Sequence, residues 1–183
     1  MQATKNLAEV LHLHSWSLVY GGGTYGLMGN LAKSLVELSG PEAVHGIIPA
    51  ALIRAERGLV KPEVAEYGRT TVVPDMHERK SLMASQADAF VALPGGYGTM
   101  EELFEAVTWN QLGIHSRPVV LLNTGGFFNH ILAWIDHAVG EGLISKGTAD
   151  IISVAETPED VVLMIRNYKL AEGRHLLDWG SKC

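Results

Sequence analysis

The stretch PGGYGTMEE, residues 94–102, packs three glycines, a hydroxyl and two carboxylates directly behind the apolar run AFVAL. Glycine lets backbone N–H groups approach an anion closely, and a helix N-terminus adds unsatisfied donors and a partial positive charge. Gly95, Gly96, Gly98 and Thr99 therefore read as a cradle for a phosphorylated ligand, with Glu101 and Glu102 following where a helix should begin. A purely structural alternative exists. Thr99 and Glu102 spell T-x-x-E, a capping box worth about 1 kcal/mol. Adjacent residues on a helix point ~100° apart, so Glu101 and Glu102 cannot form a facing acid–base pair, and at most one should face a ligand.

A second glycine set, GGGTYGLMG at 21–29, follows the apolar SLVY. Gly21, Gly23 and Gly26 spell G-x-G-x-x-G, a motif that alone is weak. The dinucleotide reading also requires an acidic residue at the end of the next strand to hold a ribose hydroxyl. That strand ends GIIPA, Gly46 to Ala50, without a carboxylate. A nicotinamide oxidoreductase is therefore disfavoured. Gly22 and Gly23 remain candidates for ligand contact, against a plain reading as a tight connection with close helix packing.

The third constellation is MHERK, 76–80. On a helix Met76, Arg79, Lys80 and Met83 share one face, and His77 and Ser81 another. If this helix starts where a strand ends, Arg79 and Lys80 bring cationic groups to an anionic ligand; otherwise they are a solvated helix face.

The elements that must position these residues alternate regularly. Strands are expected at 17–20, 44–48, 70–73, 89–93, 118–122 and 150–154, with helices near 26–38, 76–87, 99–112, 127–141 and 158–170. This alternation implies an α/β fold, a doubly wound parallel sheet with helices on both faces, and ligands bound outside the carboxyl ends of the strands. NLAEVLHLH puts a helix before any strand, so a first strand is expected to be missing. Residues 1–170 are read as one nucleotide-binding domain and 171–183, which lack periodicity, as a loose C-terminal tail.

With a net charge of -6 and no extended basic cluster, a nucleic-acid footprint is not expected. The only cysteine, Cys183, rules out an internal disulfide and suits a reducing compartment. No apolar run reaches the ~18 residues of a membrane span, and no signal-peptide layout opens the chain, so a cytoplasmic protein without a membrane partner is expected. His12 and His14 diverge on a helix, and His130 and His137 read as helix surface, so no metal site is expected. No Walker loop and no G-x-S-x-G elbow occur.

Together GGGTYGLMG, DMHERK, LPGGYGTMEEL and TWNQLGIHSRPVVLLN resemble the Lonely Guy family, the cytokinin riboside 5'-monophosphate phosphoribohydrolases, once labelled lysine decarboxylase-like. The resemblance runs from about residue 16 to about residue 170. It implies a Rossmann-like fold, a homodimer and no cofactor. The implied reaction cleaves the N-glycosidic bond of an N6-substituted adenosine monophosphate to free base and ribose 5-phosphate. On matching positions it implies Arg79 and Glu102 as the catalytic pair. Lys80, Gly95, Gly96, Tyr97, Gly98, Thr99, Glu101 and Thr108 would line the substrate site. Two rivals stand beside it. A non-catalytic nucleotide-binding module would share the glycines but need no carboxylate. A pyridoxal-phosphate decarboxylase would need a Schiff-base lysine, for which Lys80 is the one candidate in the site.

Overall fold

A computed structural model describes residues 2–57, 60–175 and 177–180; Cys183 lies outside them. The chain divides into two compact units, Met1–Ala87 and Asp88–Cys183. Each carries a three-stranded parallel sheet in sequential order. Parallel strands alternating with helices make this an α/β fold of the Rossmann-like class, as expected.

The first unit opens with α1 (Gln2–Leu13), then β1 (Leu18–Tyr20) and α2 (Gly26–Ser39). Leu31, Ala32, Leu35 and Val36 recur at helical spacing and are buried, which gives α2 one apolar face. α1 packs against α2 through Leu7, Ala8 and Val10, and Thr4 Oγ1 donates to Asn30 Oδ1 at 2.6 Å. β2 (Val44–Pro49) passes without a connecting residue into α3 (Ala50–Arg57). The single-turn α4 (Val64–Tyr67), β3 (Arg69–Val73) and α5 (Met76–Gln86) complete the unit. β2 lies between β1 and β3, and α5 packs against all three strands.

The second unit runs β4 (Phe90–Ala92), α6 (Tyr97–Gln111), β5 (Val119–Leu122), α7 (Asn129–Gly140), α8 (Lys146–Ala149), β6 (Ile152–Ala155) and α9 (Pro158–Arg166). All four β5 residues are buried, as the central strand of a covered parallel sheet requires. Its core joins Leu103 and Ala106 of α6 to Val119, Leu121, Phe128 and Ile151. Truncating one of the larger of these to alanine should cost roughly 2–5 kcal/mol. Beyond β5, Asn123 ties the loops together. It donates to Asn129 Oδ1 (3.0 Å) and Glu156 Oε1 (3.1 Å) and accepts from Phe128 N (2.8 Å).

Residues 171–175 and 177–180 are irregular, yet hydrogen bonds to α6 hold them. Arg174 Nε donates to Asn110 O (2.7 Å), His175 N to Gln111 O (2.8 Å) and Trp179 Nε1 to Leu112 O (2.9 Å). Three successive carbonyls at the end of α6 thus receive donors from this segment, Asn110 O in addition to its bond from Gly113 N. A Cβ at Gly113 would come within 2.6 Å of His175 O, so the approach needs glycine there.

Candidate active site

In the second unit the glycine stretch lies where the sequence puts it, between the end of β4 and the start of α6. Gly96 is the N-cap residue and makes no side-chain cap; Tyr97 and Gly98 open the helix and Thr99 is its third residue. The T-x-x-E capping box therefore does not form, because the cap position falls three residues earlier. The first backbone donor of this helix with an intrahelical acceptor is Met100 N, bonded to Gly96 O at 3.1 Å. The amides of Tyr97, Gly98 and Thr99 are the orphan donors of the helix start.

None of Gly95, Gly96 and Gly98 is among the glycines with positive φ. A Cβ added at Gly96 or Gly98 would meet nothing within 4 Å. Neither backbone conformation nor protein packing asks for glycine at these two positions, whereas open access to the helix amides does. At Gly95 a Cβ would overlap Thr99 Oγ1, so the threonine hydroxyl turns back over the loop. Tyr97 is 97% exposed.

Glu102 sits on the second turn of α6 and is half-buried, while Glu101 is exposed. The two diverge as adjacent helical residues must. Thr108, also exposed, is seven residues from Glu101 and so shares its side of the helix; from Glu102 it is rotated by about 120°.

In the first unit the other glycine turn is crowded. Gly21, Gly22 and Gly23 are all buried. Gly22 has φ +74°, and a Cβ there would come 2.9 Å from Ile48 Cβ; one at Gly29 would overlap the Thr24 backbone. Close packing accounts for Gly22 and Gly29, the plain reading of this turn. β2 reaches Pro49 and α3 starts at Ala50, so the position where a dinucleotide fold keeps its ribose-binding acid holds none.

α5 begins two residues after β3, with Asp75 Oδ1 accepting from Glu78 N at 2.9 Å as the N-cap. Asp75 also fits the positive end of the helix dipole. Arg79 is not part of a solvated face. It is 8% exposed, and its Nε donates to Ile47 O of β2 at 3.3 Å. Its Nη1 lies 3.7 Å from Met76 Sδ, and its guanidinium rests against the Cα of Gly21. Lys80 is half-buried beside it. The residue that sequence reasoning passed over is Gly21: it was visible only as one glycine of a weak motif, while its neighbour lies 58 positions away in the chain.

Among the described residues no group of three or more His, Cys, Asp or Glu side chains could hold a metal ion, and no helix is long and apolar enough to cross a membrane. His12 Nδ1 pairs with Ser39 Oγ at 2.8 Å, and His130 and His137 are exposed on α7.

Comparison with known proteins gives this arrangement a context. Residues 28–165 match the family described as "Possible lysine decarboxylase". The chain is 52% identical over 173 residues to a bifunctional cytokinin biosynthesis protein of Fusarium pseudograminearum, covering 88% of this chain and 36% of that protein. It thus spans about a third of that fungal relative. It is 46% identical over 166 residues to each of two cytokinin riboside 5'-monophosphate phosphoribohydrolases of Arabidopsis thaliana, LOG4 and LOG3. Both alignments cover 91% of this chain and 74% of the relative. With that identity spread over nearly its whole length, the chain belongs to the Lonely Guy family.

Proposed function

We infer that the chain is a cytokinin riboside 5'-monophosphate phosphoribohydrolase, releasing free base and ribose 5-phosphate from N6-substituted adenosine 5'-monophosphates. The observation that carries this reading is the open start of α6, where Gly96 and Gly98, which no packing demands, accompany three amides without helix partners one turn before Glu102.

Those amides suit the 5'-phosphoryl group, with Gly95, Gly96, Gly98 and Thr99 shaping its seat and Tyr97 beside it. Phosphate anchoring supplies position rather than chemistry. From Tyr97 to Glu102 the helix rises about 7.5 Å, comparable to the reach from a nucleotide's phosphorus to its anomeric carbon. There the Glu102 carboxylate stabilises positive charge developing on the sugar and orients or deprotonates water. The water oxygen bonds to C1', and the glycosidic electron pair leaves with the purine, which takes up a proton. Arg79, a fixed fork of donors, offsets phosphate charge or orients the ribose, and Lys80 adds a second cation. Gly22, Gly23, Glu101 and Thr108 complete the proposed substrate contacts. The enzyme acts as a homodimer in the cytoplasm, without cofactor, metal, nucleic acid or membrane.

The deciding experiment is incubation with AMP and with its N6-isopentenyl analogue, followed by chromatography. Free base from the analogue supports the reading; nucleotide that binds but is returned intact leaves only a binding protein.

A further inference from the structure

The guanidinium of Arg79 occupies the space where a side chain at residue 21 would stand. A Cβ built on Gly21 would overlap Arg79 Nη2, approach Cζ to 2.9 Å and reach 3.4 Å from Nε. Gly21 differs in this from the other glycines of its turn. Gly22 has φ +74° and faces Ile48, and Gly29 faces the Thr24 backbone, so a side chain at either strains the fold itself. Gly21 is not among the positive-φ glycines, so alanine fits its backbone conformation. What alanine meets is the far end of a long side chain, whose contacts include a hydrogen bond to Ile47 O and a sulfur contact to Met76. The group that yields is therefore the guanidinium, and the strands stay where they are.

We propose that Gly21 is the positioning residue for Arg79: the missing side chain at 21 is the recess that fixes where the guanidinium lies. This rests on the reading of Arg79 as a catalytic group. It gives the first glycine of the 21–29 turn a task different from the amide cradle of residues 95–99. Residue 21 itself makes room for a cation belonging to the protein rather than for an anion belonging to the ligand.

The test compares Gly21→Ala, Arg79→Ala and the double variant with the unaltered chain. Three quantities are read: the Arg79 Nε–H resonance by nitrogen-15 NMR, assigned by its loss in Arg79→Lys; kcat and KM for N6-isopentenyl AMP; and the thermal midpoint. Gly21→Ala should move the Arg79 resonance and lower kcat at least about tenfold with KM within about threefold. The midpoint should stay close to that of the unaltered chain, and the change should add nothing further when Arg79 is already alanine. An unmoved resonance overturns the proposal, as does a kcat loss that persists undiminished in the Arg79→Ala background, which would mean Gly21 meets the ligand directly. A Gly21→Ala chain that does not fold overturns it too, since the backbone and not the guanidinium would then be the obstacle. If Arg79→Ala turns over like the unaltered chain, it is the catalytic assignment of Arg79 that falls, and the resonance alone decides the role of Gly21.

Discussion

Arg174 reaches Asn110 across 64 residues of chain, donating from Nε to its carbonyl at 2.7 Å while Nη2 donates to His115 O at 2.5 Å. One guanidinium thereby closes the end of α6 and the loop behind it, and its charge sits at the negative end of the helix dipole. Arg174→Ala should lower unfolding stability by about 1–3 kcal/mol, the range for charge-assisted bonds at a partly exposed site. Arg174→Lys should recover only a minor part, since an ammonium cannot serve both carbonyls as a fork does. Urea midpoints at constant slope check both.

His115 sets a pH dependence. It is 9% exposed, donates from Nε2 to Ala106 O (2.9 Å), accepts at Nδ1 from Arg117 N (3.1 Å) and lies 4.9 Å from the Phe90 ring. Burial, followed by the nearby charges of Arg117 and Arg174, lowers its pKa from the ordinary 6.5. The unfolded chain then binds the extra proton first, so His115 favours the fold above about pH 6.5 and that contribution is lost as pH falls toward the folded value. The thermal midpoint should drop between about pH 7 and about pH 5.5, and His115→Gln should flatten that slope.

Glu102→Gln should bind substrate nucleotide about as tightly as the unaltered chain while turnover falls by orders of magnitude, because the amide keeps the shape and loses the charge. Product release measured under single-turnover conditions, beside nucleotide binding by calorimetry, separates the two. Turnover like that of the unaltered chain would leave Glu102 no catalytic role.

Gly98→Ala separates folding from function at one position. A Cβ there meets nothing, and alanine is the better helix former by roughly 0.5–1 kcal/mol. The variant should therefore melt no lower than the unaltered chain, yet raise KM for the nucleotide about tenfold or more as the methyl group shields the helix amides. A lower midpoint with unchanged KM would assign Gly98 to packing.

Most of the fold was legible because its strands are short Val-, Ile- and Leu-rich runs set off by turns. All six form within a residue or two of the expected bounds, as do four of the five longer helices; α9 stops at Arg166, four residues short of the expected 170, and the helix before β1 starts at Gln2, four residues ahead of NLAEVLHLH. α3 escaped notice because β2 runs into it with no glycine or polar turn to mark a change of period. α4 and α8, four residues each, are too short for a helical period to register. The capping signature misled at Thr99–Glu102, where Gly96 takes the cap, and the reciprocal box forms instead at Thr157 and Asp160. The last segment showed no periodicity because its order comes from α6 carbonyls far away in sequence. The glycine-rich start of α6 at residues 95–98 was readable because local spacing carries it. The seat of Arg79 was not, because it depends on α5 lying across β2 toward the turn after β1.

Tyr97 spends almost its whole ring in solvent at the mouth of the amide cradle, with a glycine on either side. Core packing places no constraint on that side chain, so selection for foldability leaves the position alone and only what arrives from outside can discipline it. On the proposed reading of the site, a substitution at 97 changes what the ligand meets while the scaffold stays put.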